Sequence, residues 1–254
     1  MKIFLAVYVF VLGLAIGSFL NVLIYRLPRK IQTVKGSSFC PSCEHSLNWT
    51  DLIPVFSFLF LRGKCRYCKG KISIRYPIIE LLNALCYMAA FLVFGLSVKT
   101  VALSIVSSCL ITLAMIDFDF KIIPDRFNII IAVCGLVLLI FLRDLVWYDR
   151  LIGFFAVSVP LLIAAIITGG MGEGDIKLFA ACGLVLGWKS VLLSLLISSI
   201  IAAIVGIILI KTKKANRKTE IPFGPYIAAA VLISMLIGDR IINTYFSFIS
   251  SLIK

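Results

Sequence analysis

The sequence predicts an all-α polytopic membrane protein, with about eight transmembrane helices and one small cytoplasmic zinc-binding insert. Three observations predict this. Of 254 residues, 61% are hydrophobic and only 15% charged, and the mean hydropathy is +1.11. Apolar runs close to the twenty or so residues that cross a bilayer recur along the chain. Residues 28–76 break that pattern and carry two closely spaced cysteine pairs. The net charge of +13 would suit nucleic acid, but the basic residues gather in a few loops between apolar runs. Membrane topology and anionic lipid account for that placement better, so no nucleic-acid partner is expected.

Taken in order, the expected spans are 3–25, 77–96, 100–116, 126–142, 151–168, 176–188, 190–210 and 223–245. The first has only Lys2 before a long apolar run, and it ends in Arg26, Arg29 and Lys30. A secretory signal would be shorter and end in small residues, so this is a retained anchor with its N-terminus outside. The sixth is short enough to be a partial or tilted helix. The division is then 1–27 anchor, 28–76 insert and 77–254 membrane core.

With this layout, Lys2, Lys99, Arg143, Arg150, Lys189, Arg240 and Lys254 are the basic residues away from the inner loops. The other 18 of the 25, among them Lys35, Lys121, Lys177, Lys211, Lys213, Lys214, Arg217 and Lys218, fall on the cytoplasmic side. The positive-inside rule supports that orientation.

The insert holds Cys40-Pro-Ser-Cys43 and Cys65-Arg-Tyr-Cys68, with 21 residues between the pairs. Two such turns can wrap one tetrahedral Zn²⁺, each placing two thiolates on the ion. Two redox pairs are the alternative, but a cytoplasmic address disfavours disulfides. Four thiolates close the coordination sphere, so Cys40, Cys43, Cys65 and Cys68 make a structural site that supplies folding free energy a small insert lacks. Cys86, Cys109, Cys134 and Cys182 lie in apolar runs and read as small hydrophobes. His45, the only histidine, is a loop residue beside a complete ligand set, and a single histidine disfavours Ser-His-Asp or Cys-His catalysis.

Two stretches carry ionisable groups into membrane-spanning regions, where they are costly and mark function. Gly170-Met171-Gly172-Glu173-Gly174-Asp175-Ile176-Lys177 is a glycine-dense break between apolar runs. Met115 to Asp125 holds Asp117, Asp119 and Asp125, with Asp117 nearest the apolar side. Asp125 follows Pro124 and suits a helix start; a cap is also the plain alternative for Asp175. The 58 residues from Asp117 to Asp175 fit two crossings, returning both to one membrane face. Two neighbouring carboxylates in a dry site share a proton, the arrangement aspartic proteases use to activate water. Gly172 and Gly174 permit close approach by an extended chain. Lys177 either biases the pair or reaches outward to the interface.

Gly172-Glu173-Gly174-Asp175 fits a GxGD signature. With Asp117 and Ile123-Pro124-Asp125 it resembles the bacterial type IV prepilin peptidases. Gly17-Ser18-Phe19-Leu20-Asn21-Val22 with Arg26-Leu27-Pro28, the cysteine pairs, and Arg75-Tyr76-Pro77-Ile78-Ile79-Glu80-Leu81 match further motifs in family order. The resemblance implies a membrane aspartic endopeptidase with Asp117 and Asp175 as its catalytic pair. It would remove the short basic leader of prepilins or pseudopilins after a glycine at the cytoplasmic face. It further implies methylation of the new N-terminus with S-adenosylmethionine, work beside pilus or type II secretion machinery, and similarity to the competence-pilus form of Gram-positive bacteria. Asn21, Arg26 and Glu80 are candidates for the methyl-transfer or leader-binding region, against packing and interfacial roles. Glu44, Asp51, Glu80, Asp119 and Glu173 are candidates for guiding a basic leader. The rival classes are an ion-coupled transporter using Asp117 and Asp175, and a zinc-module scaffold.

Overall fold

The structure is a computed structural model that describes residues 2–32, 36, 38–142, 146–170, 172–212 and 221–252. Of the residues named above, Lys35, Arg143, Met171, Lys213, Lys214, Arg217, Lys218 and Lys254 lie outside the described residues. The chain folds as two compact units, Met1–Leu96 and Ser97–Lys254.

In the first unit, α1 (Lys2–Arg26) packs along α3 (Arg75–Phe94). Lipid tails are as apolar as the helices, so close backbone contact and polar bonds must hold such a pair. Gly13 and Gly17 provide the contact: a Cβ at either would lie 2.6 Å from Ala84 Cα or 2.7 Å from Glu80 Cα. Asn83 Nδ2 donates to Gly13 O at 2.8 Å, and Asn21 Nδ2 donates to Tyr76 O at 3.2 Å. The insert between them holds a 3-10 turn, Trp49–Leu52, and the short α2 (Phe56–Phe60).

The second unit holds α4 (Val98–Phe120), α5 (Asp125–Phe141), α6 (Trp147–Thr168), α7 (Glu173–Leu186), α8 (Trp188–Lys211) and α9 (Gly224–Leu252). Ser97 Oγ accepts from Thr100 N at 3.2 Å and starts α4. The apolar window of α4 is 78% buried, against 11% in α8, so α4 is central and α8 peripheral. α4 packs on α5 and α9, and α7 on α5 and α6. The α6–α7 crossing is a backbone contact at Gly153 and Gly183. Arg150, only 1% exposed, reaches from α6 to the last turn of α7. Its Nη1 donates to Leu184 O at 3.1 Å and Val185 O at 2.5 Å. Beside it, Trp188 Nε1 donates to Asp149 Oδ1 at 3.0 Å across the α7–α8 turn.

Every expected span coincides with a helix. Among the described residues, six helices are long and apolar enough to cross a membrane. α5 has 17 residues and α7 has 14. The expected 176–188 span needs correction at both ends. α7 begins at Glu173, with Gly172 extended at its N-cap, so Asp175 lies within the first turn rather than before it. Glu173 and Asp175 suit the positive end of the helix dipole there. Gly187 ends α7, and α8 starts at once at Trp188.

Candidate active site and metal centre

The second unit gathers four helix ends: the last turn of α4 and the starts of α5, α7 and α9. Asp117, 6% exposed, points from α4. Its Oδ2 accepts from Gly224 N at 2.9 Å, a bond spanning 107 residues. Asp175 lies half-buried in the first turn of α7, which Gly174 brings against Ile123, just beyond the α4 turn that carries Asp117. Its Oδ1 is buried with no hydrogen-bond partner among the described residues. A pair with one anchored and one open carboxyl has spare acceptor capacity for a third group.

The segment between α4 and α5 shapes this end. Lys121 closes α4 in the left-handed conformation, its N–H bonded to Asp117 O at 2.8 Å. A Cβ on Gly174 would lie 2.8 Å from Ile123 Cβ, so a glycine is what lets α7 approach here. A Cβ on Gly172 would be 3.4 Å from Asp175 Oδ2, an ordinary contact. Lys177 turns to Asp125, Nζ lying 3.3 Å from Oδ1, with Glu173 at 3.9 Å. Asp125 begins α5, as expected from Pro124. Asp119 and Glu173 are exposed.

Sequence reading did not find Gly224. It lies in Ile221-Pro222-Phe223-Gly224-Pro225-Tyr226, where two prolines flank a glycine just before an apolar run. A Cβ there would come within 2.7 Å of Asp117 Oδ2. The Phe223 ring packs 6.4 Å from that of Phe179 on α7, tying the start of α9 to α7. The dense proline-glycine punctuation was the available signal.

In the first unit, the Sγ atoms of Cys40, Cys43, Cys65 and Cys68 all lie within 4.8 Å of one another and can hold one metal ion. Cys40 and Cys68 Sγ are 3.9 Å apart. Tetrahedral thiolates around zinc stand about 3.8 Å apart, from the usual Zn–S length. The two turns are copies of one design. Cys40 N donates to His45 O and Glu44 N to Cys40 O; Cys65 N donates to Gly70 O and Lys69 N to Cys65 O. Short bridges, Phe39–Ser46 and Lys64–Lys71, close both. Glu44 and Lys69 take the same left-handed corner, φ 56° and 61°. His45 is outside the cluster and stacks on Tyr67, ring centres 3.7 Å apart. Asp51 fastens the 3-10 turn to the second cysteine turn, accepting from Arg66 Nε at 2.7 Å and Tyr67 OH at 3.3 Å. Burial works against ionising Asp51, but Arg66, the Asn48 N–H and Tyr67 OH together outweigh it and hold the carboxyl below its usual range.

Asn21, Arg26 and Glu80 all line one cavity of about 670 Å³ in this unit, with Tyr25, Tyr76 and Asp51 also in its wall. That size suits a small-molecule site. Arg26, 5% exposed, donates to Gln32 O at 3.2 Å and Gly36 O at 3.5 Å. Glu80 Oε2 accepts from Val55 N at 2.7 Å. Among the leader-guiding candidates, Glu80 and Asp51 are thus engaged, and Glu44 is exposed.

Residues 11–94 match the bacterial peptidase A24 N-terminal domain, and residues 104–207 match the type IV leader peptidase family. A prepilin leader peptidase/N-methyltransferase of Bacillus subtilis is 38% identical, covering 93% of this chain and 96% of its own length. Proteins of the same name from Stutzerimonas stutzeri and Pseudomonas aeruginosa are 35% and 34% identical. They cover 94% and 93% of this chain, and 92% of their own lengths. No solved structure matches the chain. With the paired aspartates, the four-cysteine cluster and relatives alike along nearly the whole length, the chain belongs to the type IV leader peptidase family.

Proposed function

We propose that this multi-pass membrane protein is a prepilin peptidase and N-methyltransferase, with Asp117 and Asp175 as its proteolytic pair. The gathering of the helix ends that carry these two carboxylates at one end of the second unit supports the reading. One aspartate, ionised, takes a proton from a water held between them as the water oxygen attacks the scissile carbonyl. The other, protonated, gives its proton to the carbonyl oxygen; the amine then leaves with a proton as the C–N bond breaks. Asp117, held by Gly224, is the fixed member, and Asp175 is the adjustable one.

The orientation that suits the basic loops puts the N-terminus outside, with the insert and the aspartates on the cytoplasmic side. The leader is cut there after a glycine, from prepilins or pseudopilins that pass to a pilus or type II secretion machine, a competence pilus being one such destination.

The four cysteines hold a structural Zn²⁺, whose closed thiolate set leaves no open catalytic position. Asn21, Arg26 and Glu80 mark the cavity for S-adenosylmethionine, which when bound supplies an activated methyl group. The donor set fits: Glu80 and the Tyr25 and Tyr76 rings suit a sulfonium cation, and Asn21 offers an amide to a polar head. Glu80 is then placed to orient the new amine. Lys177 and Asp125 brace α7 against α5, and Gly172 and Gly174 give the substrate chain room beside Asp175.

The test is cleavage of a prepilin-like peptide by full-length protein in lipid discs. Asp117→Asn and Asp175→Asn should each lower the rate by about 10²–10⁴-fold while helix content is kept. Retained cleavage in either folded variant would refute the assignment.

A further inference from the structure

The insert carries an apolar ridge that its own fold leaves bare. Trp49 is 77% exposed, Phe56 55%, Leu59 63% and Phe60 84%. α2 explains how this arises. Its Ser57 and Phe58, with the following Leu61, line the cavity. Phe56, Leu59 and Phe60, at helical spacing, then share the opposite side. The helix is therefore largely apolar on both faces, and this unit partly covers only the cavity side, where Ser57, Phe58 and Leu61 are half-buried. Scattered exposed apolar residues are ordinary; three on one helical turn beside an exposed tryptophan make a patch that marks a contact surface.

Depth and charge identify the contact. Val55, immediately before α2, donates its N–H to Glu80, in the second turn of α3. That bond fixes α2 at the level of the first turns of a membrane-spanning helix, where the bilayer interface lies. Ile74 and Ile78, at the start of α3, are 65% and 54% exposed and share this depth. Arg62 and Lys64 follow α2 and are exposed. Residues 28–76 hold nine Lys or Arg against two acidic residues, Glu44 and Asp51, and Asp51 is engaged by Arg66. A basic rim around an aromatic ridge at headgroup depth complements an anionic lipid surface and repels a basic peptide.

We propose that Trp49 and α2 form an interfacial anchor. Phe56, Leu59 and Phe60 enter the headgroup–acyl boundary of an anionic leaflet, and Arg62 and Lys64 meet lipid phosphates. The anchor presses the cavity-lining side of α2 toward the cavity and so fixes that wall through contact with lipid. This rests on the membrane-spanning character of α1 and α3 and is independent of the proteolytic reading.

The experiment uses the full chain in lipid discs and reads the fluorescence lost in Trp49→Phe, which isolates Trp49 from Trp147 and Trp188. Lipids brominated near the top of the acyl chain should quench that component, whereas aqueous iodide should not. In discs of purely zwitterionic lipid, iodide protection should weaken. The double variant Arg62→Gln/Lys64→Gln should weaken it in anionic discs too, by about fivefold in docking per lost charge. Zinc content and helicity serve as folding controls. Iodide quenching without lipid quenching would overturn the proposal, as would equal protection in both lipids. Shielding from both quenchers that disappears at one chain per disc would assign the ridge to a second copy instead and also overturn it.

Discussion

The hydrogen bond from Gly224 to Asp117 shows how much of this site depends on single atoms. The carboxylate is accepted into a buried position because a backbone N–H, which carries no charge of its own, is aimed at one oxygen. Alanine at 224 would bring a methyl group to 2.7 Å from that oxygen and force either α9 or Asp117 to move. Gly224→Ala should therefore cut peptide cleavage by at least about tenfold, with a stability cost of about 1–3 kcal/mol as in other overpacked sites. Rates and thermal unfolding measured on the same sample test both parts. Asp117 and Asp175 stood out in the sequence as candidates because an ionisable group beside an apolar run is conspicuous. Gly224 was not, since its partner is 107 residues away and glycine announces a close approach without saying to what. Lys177 was ambiguous for a related reason: a long cation can turn several ways, and only the position of Asp125 shows that it turns to α5.

Among the elements, the cysteine turns and α7 behave in opposite ways. The turns are dictated locally, and the cysteine spacing made them readable in the sequence; the left-handed corners at Glu44 and Lys69 complete them. The insert has few buried apolar side chains, whereas a structural zinc contributes apparent binding energies of about 10–16 kcal/mol in small peptides. Cys40→Ser or Cys65→Ser should thus bring zinc well below one per chain, measured by elemental analysis, and expose the insert to proteolysis. α7, by contrast, owes its limits to neighbours. Its apolar pattern ran on past Gly187, and the sequence did not reveal that Arg150 and Asp149 of α6 fasten the turn there. Arg150→Met leaves the carbonyls of Leu184 and Val185 without that donor inside a low-dielectric bundle. It should lower stability by about 1–3 kcal/mol and reduce cleavage by shifting Asp175 at the other end of the helix. A thermal shift without any change in rate would confine Arg150 to stability.

At the level of the whole chain, the two proposed chemistries fall in different compact units: the aspartates in one, the Asn21–Arg26–Glu80 cavity in the other. The expected division at residue 76 followed the change in hydropathy. Compactness instead divides the chain at 96, because Gly13 and Gly17 let α3 nest on α1, and a hydropathy profile does not register nesting. Glu80→Gln should accordingly leave leader cleavage in place and reduce methylation of the product, read by mass spectrometry of its N-terminus. Asp175→Asn should abolish both, since the amine to be methylated never appears. The brevity of α7 has its own consequence. Fourteen residues reach about 21 Å, well short of a hydrocarbon layer of about 30 Å. Every residue from Leu178 to Val185 is buried, so neighbouring helices, and not lipid tails, surround it. A segment walled in by protein has no bilayer thickness to match, so changing lipid chain length should leave its own placement unaltered.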